Sequence, residues 1–232
     1  QNNPPKQEKS FLLGITSGKY IICYVKEQGL FYFDDRKQDF VPLKNNLPDD
    51  IKNFVIDSKD QVFFLTGHGQ LLHYQLTVRN SCPELSFKEE IRHCAPVSNI
   101  YLSQDCLIIN DDRTLTVSQD NRILDSINIP ENKTVSQAIC HGEYLLISFI
   151  EGGCIRYNLE NGTSTELLQL PEKASIFTIY IGSQNILWVG TDGQGILEVY
   201  EHSSPFHTVK TNYPVRCFCE EDNGNILVGT KG

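Results

Sequence analysis

The sequence predicts an all-β chain, a β-propeller built from four-stranded antiparallel blades. Three observations carry that expectation: a strand–turn–strand phrase returns six times, the returns are about 41 residues apart, and no segment shows a helical apolar stripe. The clearest copy is LWVGTDGQGILEV, from Leu187 to Val199. Others begin at Ile21 (IICYVKEQGLFYF), Val62 (VFFLTGHGQLLHY), Leu107 (LIINDDRTLTV), Leu145 (LLISFIEGGCIRY) and Ile226 (ILVGTKG), with start-to-start spacings of 41, 45, 38, 42 and 39 residues. The copies at Ile21, Leu145 and Leu187 align without a gap. A period of this size, with strand patterning inside it, marks propeller blades.

Each unit opens on a short apolar strand A: FLLGITSGKY, IKNFVIDSKDQ, VSNIYLSQDC, VSQAICHGEY, IFTIYIGSQNI and VRCFCEEDNGN. A polar tight turn follows, at Ser17-Gly18, Asp60-Gln61, Gln104-Asp105, His141-Gly142, Gln184-Asn185 and Asn223-Gly224, so A and B form a hairpin. The turn from B to C is made by Lys26-Glu27-Gln28-Gly29, Glu151-Gly152-Gly153 and Asp192-Gly193-Gln194-Gly195, whose last glycine suits a positive φ. At Leu107 that turn is shortened, and Asn110 stands where other copies have glycine. A fourth strand D is expected around Phe40, Ile127, Leu167 and Phe206, while an irregular insert lies between Cys82 and Cys94. Proline marks the returns to the next A strand at Pro42, Pro48, Pro96, Pro130, Pro171 and Pro214, because it cannot donate to a ladder.

The signature residues fit packing. Gly190 and Gly229, with Ser148 in the matching place, leave room at the end of strand B, and the large apolar residue two positions earlier (Ile22, Phe63, Ile108, Leu146, Trp188, Leu227) is expected to pack between blades. Trp188, the sole tryptophan, is expected in the core on this ground rather than in a sugar-stacking role. Among the eight cysteines Cys23 aligns with Val189 and Cys154 with Ile196, and Cys106, Cys140, Cys217 and Cys219 fall in or beside strands. Most are therefore expected to be unpaired, buried and hydrophobe-like, with Cys82 and Cys94 the favoured pair if one bridge forms.

The mass of 26.3 kDa is ample for a buried core. A net charge of −9 without a basic cluster argues against direct nucleic-acid contact. No apolar run approaches the roughly 20 residues needed to cross a bilayer. Residues 1–10 (QNNPPKQEKS) read as a flexible leader, and residues 11–232 as propeller repeats. The chain begins at Gln1 and its sixth copy stops after strands A and B, which predicts about five and a half blades of an incomplete toroid. A seven-bladed ring would need about 287 residues at this period, so the expectation is a fragment of a larger receptor.

The string from Ile176 through LWVGTDGQGI resembles the regulator-propeller repeat of the extracytoplasmic sensor region of Bacteroides-type hybrid two-component systems, and the likeness extends over residues 11–232. The resemblance implies the N-terminal part of a periplasmic sensor domain, which reads a glycan breakdown product and so controls polysaccharide-utilisation genes. It also implies partners: an oligosaccharide or other small-molecule ligand, the remaining blades and downstream domains of one parent chain, and a homodimer. The histidine kinase would lie outside this chain, which is not itself expected to be an enzyme.

Residue chemistry agrees. His68, His73, His93, His141, His202 and His207, with the acid pairs Asp34-Asp35, Asp49-Asp50 and Asp111-Asp112, form no spaced metal, calcium or nucleophile-elbow motif. No catalytic residue, metal or cofactor is assigned. The expected ligand surface is the face carrying the D-to-A and B-to-C loops. It offers Lys26, Glu27, Gln28, Asn45, Asn46, His68, Asp111, Arg113, Glu151, Asp192, Gln194 and Tyr213, a mixture of amides, acids and an aromatic ring that suits sugar hydroxyls and equally suits any solvated loop. Two readings from other classes remain. One is a WD-repeat-like interaction scaffold, although the copies lack the Trp-Asp ending and Gly-His opening of that repeat. The other is a propeller-fold carbohydrate-active lyase or hydrolase.

Overall fold

A computed structural model describes residues 11–15, 20–26, 28–43, 47–79, 82–120, 122–170, 174–200 and 208–231, with the side chains of all but 11–15 and 208. The described elements are all strands, arranged in six antiparallel sheets. The first sheet is β1 (Phe11–Ile15), β2 (Ile21–Val25), β3 (Gly29–Asp34) and β4 (Asp39–Pro42). The second is β5 (Ile51–Ile56), β6 (Gln61–Thr66), β7 (Leu71–Arg79) and β8 (Cys82–Ile91). The third is β9 (Asn99–Ser103), β10 (Cys106–Asn110), β11 (Thr114–Gln119) and β12 (Arg122–Asn128). The fourth is β13 (Val135–His141), β14 (Tyr144–Phe149), β15 (Gly153–Asn158) and β16 (Ser164–Gln169), and the fifth is β17 (Ile176–Ile181), β18 (Leu187–Thr191), β19 (Ile196–Val199) and β20 (Thr208–Val209). The sixth pairs β21 (Val215–Glu220) with β22 (Ile226–Thr230). Every sheet is a meander in chain order, which makes each sequence repeat one propeller blade.

The chain divides into two compact units, residues 1–105 and 106–232. In the first, strand A of one sheet lies against strand A of the next: β1 on β5 and β5 on β9. Its core fills the space between the first two sheets with Ile22, Tyr24, Leu30, Tyr32, Phe54, Ile56, Val62, Phe64, Tyr74 and Leu76. Phe64 is wholly buried, its ring 5.5 Å from Phe54 in a stack and 5.4 Å from Tyr74 edge-on. Asn53 Nδ2 donates to Asn99 Oδ1 (2.9 Å) and the Ile100 carbonyl (3.1 Å), and Ser58 donates its amide and hydroxyl to Asp105. Those Ser58 bonds, hydroxyl first, hold the Asp105 carboxyl below the usual range.

The second unit repeats the scheme, with β13 against β17 and β17 against β21. Leu146, Cys154, Leu170, Ala174, Ile176, Ile179, Leu187, Val189 and Val199 form its core between the fourth and fifth sheets. Burial pushes the Cys154 thiol up to about 12. Gln137 stands where Asn53 does, and its Oε1 accepts from Thr178 Oγ1 (2.8 Å) and the Ile179 amide (2.7 Å). That amide points away from the β17–β18 ladder, so the glutamine satisfies a strand edge buried at the blade interface. Gln137→Ala is expected to lower the unfolding free energy by about 2 kcal/mol in urea denaturation. Gln137→Glu, which retains an acceptor, is expected to recover more than half of that loss.

Four A strands carry a bulge at the same place, between Ile51 and Asn53, Val135 and Gln137, Ile176 and Thr178, and Val215 and Cys217. The residues pushed out of register are Lys52, Ser136, Phe177 and Arg216. The predicted room at the end of strand B is also present: a Cβ on Gly190 would lie 2.6 Å from Thr178 Cγ2 and 2.7 Å from Val215 Cγ1. Ser148, fully buried, uses its hydroxyl on Ser136 and the Gln137 carbonyl instead.

Several expectations are corrected. The stretch between Cys82 and Cys94 is no irregular insert: β8 forms a long hairpin with β7, and it went unseen because solvent reaches most of its residues and erases the alternation. None of the eight cysteines is in a disulfide, but only Cys23, Cys106, Cys140 and Cys154 are buried, and Cys82, Cys94, Cys217 and Cys219 are exposed. Trp188 is half-buried rather than in the core, and Leu227 is 52% exposed on β22 although Ile22, Phe63, Ile108 and Leu146 are buried at the matching place. In the fourth sheet the positive φ falls on Gly152 rather than on Gly153, because Gly152 closes the turn onto the Phe149 carbonyl. Residues 1–10, Ser17-Gly18, Pro171 and Phe206 lie outside the described residues.

Candidate functional site

The ends of the sheets that carry the B-to-C turns also carry the D-to-A returns, and the backbone ties the two together repeatedly. The residue just past strand B donates to the carbonyl just before strand A: Gly67 to Asp50 (2.7 Å), Ile150 to Thr134 (2.8 Å), Asp192 to Ser175 (2.9 Å) and Lys231 to Pro214 (3.0 Å). A residue of the return after strand D donates back, Val97 to Gly69 (3.0 Å), Ile129 to Arg113 (2.7 Å) and Leu170 to Gly152 (2.8 Å). Within each sheet the turn side chains are thus presented from a hydrogen-bonded rim, which lowers the entropy cost of ordering them.

In the first unit this rim contains a depression of 380 Å³ in the second sheet, lined by His68, Gln70, Glu90, Arg92, His93 and Cys94, with Pro96 as one wall. The volume falls within the range that holds a small polar ligand. Gly69 (φ +79°) lets the turn press on that wall, since a Cβ there would lie 2.8 Å from Pro96 Cβ. His68 projects outward, its Nε2 3.7 Å from Asp50 Oδ2, while Gln70 Nε2 donates to Glu90 Oε1 at 3.2 Å. Lys26 and Gln28 are exposed on the β2–β3 turn, where the Gln28 amide closes onto the Val25 carbonyl. Glu27, Asn45 and Asn46 lie outside the described residues.

In the second unit the predicted residues divide by role. Asp111 is used up in its own loop, accepting from the Arg113 and Thr114 amides (3.0 and 2.6 Å) and the Thr114 hydroxyl (3.0 Å), so it shapes the shortened turn rather than facing solvent. Arg113 is exposed beside it. Glu151 accepts from the Thr134 amide at 2.8 Å. Burial raises its carboxyl, but the Thr134 and Glu151 amides, the Thr134 hydroxyl and the Lys133 charge outweigh this and leave it below the usual carboxylate range. Asp192 and Gln194 are exposed on a turn fixed by Thr191, whose hydroxyl accepts from the Gln194 amide at 3.1 Å. Tyr213 presents an exposed ring from the return between the fifth and sixth sheets.

Three contributors to this rim escaped the sequence reading: Lys133, Phe177 and Arg216. The Lys133 ammonium sits 5.8 Å from the Phe149 ring centroid, and the Arg216 guanidinium 4.2 Å from that of Phe177. Phe177 and Arg216 are bulged residues of neighbouring A strands. The signal was present in the aligned repeats as a column that changes chemistry in each blade (Lys52, Ser136, Phe177, Arg216) directly after a column that stays apolar (Ile51, Val135, Ile176, Val215). Among the described residues, no three His, Cys, Asp or Glu side chains converge as metal ligands.

No family model matches the chain, and no curated protein sequence matches it. Similarity to solved structures is extensive and identifies the fold. The extracellular domain of a protein assigned as a one-component system of B. thetaiotaomicron superposes with a TM-score of 0.70 at 16% identity, over 94% of this chain and 31% of that one. A streptogramin B lyase matches with a TM-score of 0.71 at 11% identity over 95% of this chain and 76% of that one. The C-terminal WD40 domain of Sif2 matches with a TM-score of 0.62 at 15% identity over 94% and 66% of the two chains. The chain therefore spans under a third of the length of the bacterial extracellular domain it resembles.

Proposed function

We propose that this chain is part of a ligand-sensing propeller of an extracytoplasmic signalling protein, and that its loop rim binds a glycan-derived small molecule. One observation carries the reading: nearly the whole chain superposes on the extracellular domain of a bacterial one-component system, and its own repeats resemble those of Bacteroides sensor propellers. Each unit supports it by itself: the first carries a depression at its turns, and the second presents exposed acids, amides and the Tyr213 ring on a hydrogen-bonded backbone. In such a module the ligand acts by binding one state of the receptor better than another. A periplasmic location, a downstream histidine kinase or other output domain, control of polysaccharide-utilisation genes and homodimerisation belong to the same proposal.

Calorimetric titration with a panel of neutral and acidic oligosaccharides is expected to find at least one binder that the chain leaves chemically intact. Turnover of a bound saccharide would replace the reading with a lyase or hydrolase. A panel without binders, together with capture of a peptide on the loop rim, would replace it with an interaction scaffold.

A further inference from the structure

The charges of the sixth sheet are sorted by sign. At its loop-rim end stand Arg216 and Lys231, both exposed, and at the opposite end, around the β21–β22 turn, stand Glu220, Glu221 and Asp222. Glu220 is also engaged with the neighbouring sheet, accepting from Tyr180 Oη (2.7 Å) and Ser183 Oγ (2.6 Å). In a chain of net charge −9, this end of the sheet is a local basic patch.

Arg216 is its organised member. The bulge between Val215 and Cys217 lifts it out of the ladder, and its guanidinium lies 4.2 Å over the centroid of Phe177, the bulged residue of the preceding A strand. The contact is a cation–π pair on an exposed residue. Among the described residues no carboxylate or carbonyl accepts from its guanidinium. The contrast with Lys52 is direct: the same bulge in the second sheet directs its ammonium onto the Ser98 carbonyl at 2.6 Å. A planar guanidinium without an acceptor among the described residues matches an oxyanion with two coplanar or near-coplanar oxygens, and the exposed Tyr213 ring nearby in the chain offers an apolar face to a sugar ring.

We propose that Arg216, backed by Phe177 and carried at the same end of the sixth sheet as Lys231, is an anion-recognition element, and that the ligand of the loop rim is a saccharide bearing a carboxylate or sulfate. This rests on the sugar-binding reading of the rim and narrows its ligand class. The probes are trigalacturonate for the carboxylate, a sulfated disaccharide for the sulfate and maltotriose as the neutral reference, each titrated calorimetrically into the 232-residue chain at low and high salt. At least one acidic probe is expected to bind, to weaken with salt, and to lose about tenfold or more in Kd with Arg216→Gln. Arg216→Lys keeps the charge without the fork, and its loss is expected to be nearly as large. Unchanged circular dichroism and melting of both variants exclude unfolding as the cause, since Arg216 is exposed. Acidic probes that bind wild type and Arg216→Gln equally overturn the proposal. Binding of maltotriose but of neither acidic probe overturns it while leaving the sugar-binding reading intact; binding of none of the three overturns both.

Discussion

Phe64→Ala is expected to remove about 3–5 kcal/mol of stability, read as a shift of the urea midpoint by circular dichroism. The side chain is wholly buried between the rings of Phe54 and Tyr74 in the core that joins the first two sheets. Its loss leaves a cavity that neighbouring strands cannot close, because ladders on both sides of β6 hold them in register. Phe64→Leu retains most of the apolar volume and is expected to cost less than half as much. Equal costs for the two variants would show that the sheets relax around this site.

Gly195→Ala is expected to cost about 3 kcal/mol, the sum of a left-handed backbone that alanine disfavours and a displaced D strand. The residue has φ +79°, and an added Cβ would press on the Val209 carbonyl, with Lys210 Cα and the Thr211 amide each 3.2 Å away. Gly193, two residues earlier, supplies the control. Its φ of +80° is nearly the same, but nothing lies within 4 Å of an added Cβ, so Gly193→Ala is expected to cost only about 1 kcal/mol. The difference isolates the contact from the backbone preference, and identical losses would assign the whole effect to φ.

Architecture was legible in the sequence because it is written in repeated physical constraints. Strand B must be apolar on both faces where blades pack, as Val62–Leu65 and Leu145–Ile147 are. The hairpin turns must tolerate positive φ, as Asp60, Gln104-Asp105, Asn185 and Gly224 do. Outer strands were less legible, and β8 shows why: an edge strand wetted on both faces has no period for a pattern to follow. The site was legible only in part. Asp111 has the composition of a ligand-binding turn residue yet closes its own loop, a difference that depends on hydrogen-bond direction rather than residue type. Arg216 and Phe177 were invisible one at a time, because only the shared bulge stacks them.

That bulge also bears on how such a chain can diversify. A residue extruded from the ladder has no cross-strand partner, so exchanging its side chain leaves the registration of β13, β17 or β21 untouched. Ser136, Phe177 and Arg216 can therefore be exchanged without shifting a strand, at the cost of the Ser136 bond to Ser148 and of the contact between Phe177 and Arg216. A combinatorial library at these three codons is expected to vary the chemistry of these sheet ends while most members still fold, so a new surface could be selected there without first restoring the scaffold.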